Sequence, residues 1–285
     1  MYQQTRLYIQ HLNEQIKNAS PDVQKRMKSH KRHISWFLSR LHRHSHFIQK
    51  LESEPESQRQ NVHPAFDTIR QTSNPIYVDA IKKAQTWIPY IDAFLRCLKY
   101  TWWLHFRGRA CLVSFVANTL LEPRQWFADF LASRFVDYEP WIHYSQFQMQ
   151  TWTAWINIIR MYNPLKQSLE KDPQAKFIDQ WLPELSKLPI LYKHKPRLLS
   201  PLEALEYWFE LWRDYPRPLV DIETKNRTSK DVIYWVKKNP EYKKNALKIF
   251  LKHWSRRNNI IVKTHKQKNK ENEKKKLPEQ IWLFG

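Results

Sequence analysis

Fixed charges stand at the ends of apolar runs in the middle of the chain. Arg107 and Arg109 lie two residues apart before one such run, Asp137 and Glu139 lie two apart after another, and Arg160 follows a third. Because a buried charge needs a partner of opposite sign, arginines and carboxylates at the ends of neighbouring apolar helices indicate a salt-bridged site that lines a cavity. An ordinary pair of surface charges has the same spacing, and the spacing alone favours neither interpretation.

The elements that must position these charges are helices. Apolar residues recur at intervals of three and four from Tyr2 to about Leu185, which is the period of amphipathic helices. The alternating pattern of half-buried strands is nearly absent. We therefore predict an all-α fold with helices over 2–18, 21–52, 77–83, 88–100, 106–120, 124–135, 155–162 and 173–182, proline-rich loops over 192–228 and one or two helices over 230–253.

The chain is strongly basic, and the excess charge is concentrated near one end. Lys and Arg outnumber Asp and Glu by 48 to 27, a net charge of +21, and the stretch 237–276 is dense in lysine. Such a balance favours polyanionic partners, with nucleic acid first and an anionic membrane surface second. A lysine-rich tail that only solvates the chain is the alternative.

Cysteine and histidine usage argues against disulfides and metal centres. Cys97 and Cys111 fall on different predicted helices without metal-ligand spacing, which favours buried free thiols in a reducing cytoplasm. His42, His44 and His46 alternate, a spacing that points their side chains apart on a helix. The sequence shows neither a signal-peptide pattern nor a charge-free apolar run of about 18 residues. We therefore predict a soluble, cytoplasmic protein with no metal and no membrane partner.

Several motifs follow one another in an order that is typical of one family. They are DYEPWIHYSQFQMQ at 137–150, RMYNPLKQ at 160–167 and DPQAKFIDQWLPEL at 172–185, with further matches at 39–52, 63–70, 86–98 and 214–221. In this order they resemble the C-terminal FAD-binding helical domain of the photolyase and cryptochrome family. The resemblance covers roughly residues 35–257, and it implies a helical fold that binds FAD.

The resemblance also implies roles for single residues. Arg109 and Asp137 match the pair that flanks the isoalloxazine ring, and a cation at that place stabilises the negative charge formed when flavin is reduced. Glu139 matches the acidic position by the ribityl chain and ring edge, and His143 matches the position that faces flavin N5. The complete set of implied cofactor-binding residues is Trp103, Phe106, Arg109, Asp137, Glu139 and His143.

For DNA, Arg107 and Arg160 match positions that face the phosphates around a flipped-out lesion. The implied activity is light-driven electron donation from reduced FAD to a pyrimidine dimer in UV-damaged DNA. Arg40 and Arg43 depart from the family, because repair enzymes usually carry glutamate and tryptophan there. A cryptochrome-like blue-light flavoprotein, or an FAD-binding module that no longer repairs DNA, is therefore the alternative.

Glycine is nearly absent and tryptophan is abundant. The chain has two glycines and fourteen tryptophans, whereas average glycine usage of about 7% would give about 20 glycines. Glycine is used where the backbone needs positive φ or a close approach, and tryptophan causes strain or overpacking at such places. We hypothesise that UGA encodes glycine in the source organism; a naturally tryptophan-rich protein is the alternative. Tryptophan replaces family glycines at Trp87, Trp102, Trp141, Trp152, Trp155, Trp212 and Trp254, matches family tryptophans at Trp103 and Trp181, and is undecided at Trp36, Trp126, Trp208, Trp235 and Trp282.

Composition divides the chain into three parts. We predict the FAD-binding helical domain over 1–228, a helical extension over 229–254 and a disordered basic tail over 255–285. The chain opens at what looks like the middle of the family's domain, so we expect either a truncated reading frame or a second polypeptide that supplies the preceding parts. The end of the tail resembles the short peptide by which bacterial repair proteins dock on the DNA polymerase sliding clamp, with a chance match as the alternative. Its anchors would be Gln280, Ile281, Leu283 and Phe284.

Overall fold

Short polar side chains and prolines start most of the helices. Asn74, Asn163 and Asp221 each accept a hydrogen bond from a backbone N–H of the first turn that follows, which satisfies a donor that the helix itself leaves free. Proline at the first helical position costs no hydrogen bond, because its missing N–H would be unpaired there in any case. The helices that begin in this way start at Pro21, Pro75, Pro89, Pro140, Pro164, Pro201 and Pro240.

The structure is a computed structural model that describes residues 1–151, 153, 161–210 and 213–253. Thirteen α-helices lie within these ranges, joined by short 3-10 turns and by a π-helical segment at Ser114–Thr119, and these ranges contain no strand. The predicted all-α fold is confirmed. The helices are α1 Tyr2–Asn18, α2 Pro21–Ser53, α3 Pro75–Lys83, α4 Pro89–Thr101, α5 Phe106–Val113, α6 Arg124–Ala132, α7 Pro140–Gln150, α8 Pro164–Lys171, α9 Lys176–Trp181, α10 Ile190–His194, α11 Pro201–Glu206, α12 Ile222–Lys238 and α13 Pro240–His253.

Helices α7 and α8 were not among those predicted from apolar spacing. Helix α7 buries His143, Ser145 and Gln148 as well as aromatic side chains, so its buried face does not show as an apolar stripe in the sequence. The predicted helix over 106–120 is divided into α5 and the π-helical segment. Most of the predicted helix over 155–162 lies outside the described residues.

The main hydrophobic core lies around α4, which buries nine of its thirteen residues. At its start, the buried Asp92 carboxylate accepts hydrogen bonds from the Thr86 backbone and hydroxyl, from the Trp87 N–H and from the Tyr215 hydroxyl. Burial raises the pKa of Asp92 to about 7, and the four donors oppose that shift. This network attaches the loop around Tyr215 to the core.

Helices α12 and α13 close a second, smaller core against Phe66. The Thr119 hydroxyl donates to Asn226 Oδ1 at 2.6 Å, and the Ser229 hydroxyl donates to the Thr119 carbonyl at 2.8 Å. Helix α12 begins eight residues before the predicted helical stretch, because Asp221 caps it. The boundary predicted between residues 228 and 229 therefore falls inside α12, and the division of 1–254 into two parts stays a prediction.

Three tryptophans adopt left-handed backbone conformations. Trp87 and Trp102 have φ of 58° and Trp208 has φ of 51°. Trp102 ends α4, and its N–H donates to the Leu98 carbonyl, which is the arrangement that glycine usually provides after a helix. These conformations support glycine at positions 87 and 102, and they add position 208, which the sequence left undecided. The codons themselves decide the UGA hypothesis.

Candidate functional site

Arg109 on α5 and Asp137 before α7 form an ion pair. Arg109 Nη2 donates to both carboxylate oxygens of Asp137 at 2.8 Å. Arg109 Nε donates to the Leu104 carbonyl at 2.6 Å, and its guanidinium carbon lies 4.0 Å from the centre of the Phe135 ring. Because the Asp137 carboxylate, the Leu104 carbonyl and the Phe135 ring all contact the guanidinium, its position is fixed before any ligand binds.

The start of α5 sets the position of Arg109. His105 caps this helix, because its Nδ1 accepts a hydrogen bond from the Gly108 N–H. A Cβ atom on Gly108 would lie 2.8 Å from Leu104 Cγ, so any larger residue would force the buried Leu104 side chain to move. The Val136 N–H donates to the Trp102 carbonyl at 2.9 Å, which brings the segment with Asp137 beside the end of α4.

Glu139 is engaged from two sides. His44 Nε2 on α2 lies 2.8 Å from Glu139 Oε2, and Trp141 Nε1 donates to the same oxygen at 2.7 Å. Both His44 and Glu139 are about two-fifths exposed. The sequence did not identify His44 as a partner of Glu139, because the two residues are 95 positions apart and share no motif.

His143 lies inside an aromatic cluster on α7. Its ring centre is 4.7 Å from that of Phe147 and 5.2 Å from that of Tyr138, and its Nε2 lies 2.9 Å from the Ala128 carbonyl. Because a carbonyl oxygen only accepts, we assign the proton to Nε2, which leaves Nδ1 as the acceptor. Burial lowers the pKa of His143 to about 4, so the ring is neutral at pH 7.

Trp103 and Phe106 lie on the surface beside the ion pair. Trp103 is 50% exposed and Phe106 is 65% exposed, and the neighbouring Tyr138 is also exposed. Exposed aromatic side chains grouped in this way are typical of a surface that a ligand or another protein segment covers. Trp103, Phe106 and Arg109 are all contributed by the same short stretch, residues 103–109.

Of the remaining predicted site residues, Arg107 lies on α5 beside Arg109, and its side chain is exposed. Arg160, Gln280, Ile281, Leu283 and Phe284 lie outside the described residues. One open groove is lined by α2, and one cavity lies between α8, α10 and the loop after Tyr215; neither is lined by Arg109 or Asp137.

Thiols, metal ligands and membrane-spanning helices give three further observations. Cys97 and Cys111 are buried and unpaired, and burial raises the pKa of Cys111 to about 12. Across the described residues, no three His, Cys, Asp or Glu side chains come together as metal ligands would. Within the same ranges, every helix is too short or too polar to cross a bilayer.

Residues 37–234 match the family model described as the FAD binding domain of DNA photolyase. The chain belongs to this family. The matched domain is an FAD-binding domain, which confirms the predicted cofactor. Among curated relatives, the chain is 34% identical over 141 residues to a cryptochrome DASH from Natronomonas pharaonis, covering 50% of this chain and 30% of the relative. It is 27% identical over 170 residues to a deoxyribodipyrimidine photo-lyase from Alkalihalophilus pseudofirmus, covering 59% of this chain and 36% of the relative.

Solved structures show the same fold. A cryptochrome from Synechocystis superposes with a TM-score of 0.64 at 23% identity, covering 80% of this chain and 45% of that chain. An archaeal photolyase from Sulfolobus tokodaii, solved with two FAD molecules, superposes with a TM-score of 0.60 at 27% identity, covering 68% and 43%. The chain therefore spans about a third of the length of these curated relatives and less than half of these solved structures.

The described residues fit the ring end of FAD. The bonds that Arg109 forms within the described chain use Nε and Nη2, so Nη1 remains for a ligand carbonyl. Asp137 is half exposed beside it, and Trp103 and Phe106 offer open aromatic faces. A planar ring with carbonyl and N–H groups at one edge matches this combination of donor, acceptor and aromatic surface.

Proposed function

We propose that this chain is the flavin-binding part of a light-driven DNA photolyase. When bound, reduced FAD supplies the photoexcited electron that splits a pyrimidine dimer. The observation that carries the proposal is the Arg109–Asp137 pair, which two backbone-anchored segments place beside an exposed aromatic surface. The fold and the family match support the same cofactor.

In this proposal the chain's own residues bind the ring and set its charge. Arg109 places a fixed positive charge at the ring edge, which favours the negative charge that the ring gains on reduction. His143 stays neutral and keeps Nε2 on the Ala128 carbonyl, so Nδ1 would be the nitrogen left to accept a hydrogen bond from a bound flavin. Arg107, exposed next to Arg109, contacts a DNA phosphate. We assign the same role to Arg160.

Flavin binding tests the site directly. We expect Arg109→Gln to weaken FAD binding at least tenfold, since it removes the charge and the pair with Asp137. Arg96→Gln is the matched control, because Arg96 forms a comparable half-buried ion pair with Glu184 on another part of the fold. The readout is flavin fluorescence during titration of the full chain with FAD. If both variants lose the same amount of FAD affinity, the substitutions act by disturbing the fold, and the proposal is contradicted.

Trp141 gives a second test of the same site. Its indole N–H occupies the Glu139 oxygen that His44 also contacts, so it competes with a ligand hydroxyl for that carboxylate. We expect Trp141→Gly to raise FAD affinity severalfold in the same titration. Weaker binding would show that the indole is part of the site.

The cryptochrome-like alternative is favoured by one observation. Arg43 lines the open groove on α2, at a position where repair enzymes usually carry tryptophan. Blue-light repair of an oligonucleotide with one thymine dimer separates the two functions. Repair by the FAD-loaded chain supports the photolyase, and bound FAD without repair supports the alternative.

We also propose a cytoplasmic location, because Cys97 and Cys111 stay free thiols.

We propose a sliding-clamp contact through the end of the chain, with the anchors Gln280, Ile281, Leu283 and Phe284. The clamp contact is tested by surface plasmon resonance on an immobilised bacterial sliding clamp. We expect Leu283→Ala with Phe284→Ala to abolish binding, and Lys274→Ala to leave it unchanged. Unchanged binding by the double variant would contradict the contact.

A further inference from the structure

Helix α2 carries an unusual excess of positive charge. Between Val23 and Leu51 it contains no aspartate or glutamate. Its whole length buries no residue, although it is the longest helix in the described chain. The cations in this stretch are Lys25, Arg26, Lys28, Lys31, Arg32, Arg40, Arg43 and Lys50.

Four of these cations form a row along one face of α2. At 3.6 residues per turn, Lys25, Lys28, Arg32 and Arg40 fall within about one third of the helix circumference. All four are exposed. From Lys25 to Arg40 the row is about 23 Å long, at 1.5 Å per residue. We call these four residues the α2 row.

The α2 row faces away from the rest of the chain. Helix α1 packs on the other side of α2, where the Tyr8 hydroxyl lies 3.2 Å from His30 Nε2 and the Tyr2 hydroxyl lies 2.5 Å from His42 Nε2. In the described part of the chain, the ion pairs formed by arginine and lysine do not include Lys25, Lys28 or Arg32. The charges of the row are therefore available to a partner.

The row fits a phosphate backbone better than a membrane. A helix that lies on a membrane needs a broad apolar face beside its cations. The positions between the cations of the row are mostly polar and include Ser29 and Ser39, and Trp36 is the one large apolar side chain on this face. A straight row of about 23 Å spans about seven base pairs of duplex DNA.

We propose that the α2 row binds the sugar–phosphate backbone of duplex DNA and positions it beside the groove that Ser39 and Arg43 line on the same helix. The proposal rests on DNA being the partner of this chain. It concerns undamaged backbone, so it requires neither FAD nor a lesion. Contacts of this kind fix register and orientation without reading the sequence.

The test is the affinity of the full chain for an undamaged duplex in the dark, measured by fluorescence anisotropy at several salt concentrations. We expect Lys25→Glu, Lys28→Glu and Arg32→Glu together to weaken binding at least tenfold. We also expect the slope of log affinity against log salt to become shallower by about 2 to 3, since each lost phosphate contact removes about 0.9.

The matched control changes the same charge on exposed lysines elsewhere, with Lys171→Glu, Lys176→Glu and Lys187→Glu. Equal loss in the two triple variants would overturn the proposal, because net charge alone would then explain binding. If the glutamate triple of the row does not fold, the corresponding glutamine triple gives the same salt-slope comparison. A last experiment measures binding of the row variant to vesicles of equal parts phosphatidylserine and phosphatidylcholine. If this variant loses vesicle binding while its DNA binding is unchanged, the DNA proposal is also overturned.

Because this assay uses no flavin and no dimer, its failure is distinct from failure of the FAD titration. If the chain binds undamaged duplex but not FAD, the α2 row is supported as a DNA-binding surface and the photolyase proposal is contradicted. If the chain binds FAD but its DNA binding does not depend on the row, the photolyase proposal is supported and the α2 row proposal is contradicted.

Discussion

Helices α4 and α2 differ in how much of their surface the rest of the chain covers. Helix α4 buries nine residues in a length of thirteen, whereas α2 buries none in thirty-three. The difference separates two tasks. We propose that α4 and the helices packed on it provide most of the stability of the fold, and that α2 keeps one face for a partner.

Removal of one large side chain from each helix should give the strongest contrast. Phe94 on α4 is fully buried, and Phe37 on α2 is 46% exposed. We expect Phe94→Ala to lower the free energy of unfolding by about 3–5 kcal/mol, because it leaves a cavity in the core. Phe37→Ala should cost less than about 1 kcal/mol. Urea denaturation followed by circular dichroism measures both, and similar losses would refute the division of tasks.

Arg124 and Arg59 extend the comparison from apolar to charged side chains. The buried Arg124 donates to the carbonyls of Ser57, Gln58 and Gln60, whereas Arg59 forms an exposed ion pair with Asp129. We expect Arg124→Met to cost about 2 kcal/mol, because the Gln58 carbonyl and Asn61 Oδ1 lose their donor, whereas Gln148 Nε2 still donates to the carbonyls of Ser57 and Gln60. Arg59→Met should cost less than about 0.5 kcal/mol. Urea midpoints compare the two variants, and an equal cost would show that the junction depends on surface charge.

A pH dependence is expected from His143 in the core. Burial lowers the pKa of His143 to about 4 from the ordinary histidine value of 6.5, so the unfolded chain binds more protons between these values. Its contribution to stability is therefore complete above pH 6.5 and is lost as pH falls towards 4, by up to about 3 kcal/mol. Urea midpoints of the parent and of His143→Asn should converge as the pH falls through this window. A constant difference between the two would rule out His143 as the source.

The smallest stability changes are expected when tryptophans are replaced by glycine. Glycine removes the backbone strain at Trp102 and Trp208, so we expect each substitution to glycine to stabilise the chain by about 1 kcal/mol. The same change at Trp36, inside α2, should destabilise it by a similar amount, because glycine is a poor helix former. Thermal melting of the three variants checks the signs. Destabilisation at all three positions would argue for genuine tryptophan.

Some of the site could be predicted from the sequence, and some could not. The pairing of Arg109 with Asp137 followed from motif resemblance, and the structure brings the two side chains together. The contact of His44 with Glu139 could not be predicted, because it depends on how α2 packs against α7. Helix α7 itself was missed, because a buried face that contains His143 and Gln148 has no apolar period.

The helical class, the family and the excess of positive charge can all be read from the amino-acid sequence alone, because each follows from local periodicity, motif order or composition. Which charges are paired and which face outward depends on the folded arrangement. Arg109 meets a carboxylate and, within the described part of the chain, Lys25 meets none, although both precede long apolar or amphipathic stretches. Pairing depends on distances between segments far apart in the chain, and those distances exist only once the helices have packed.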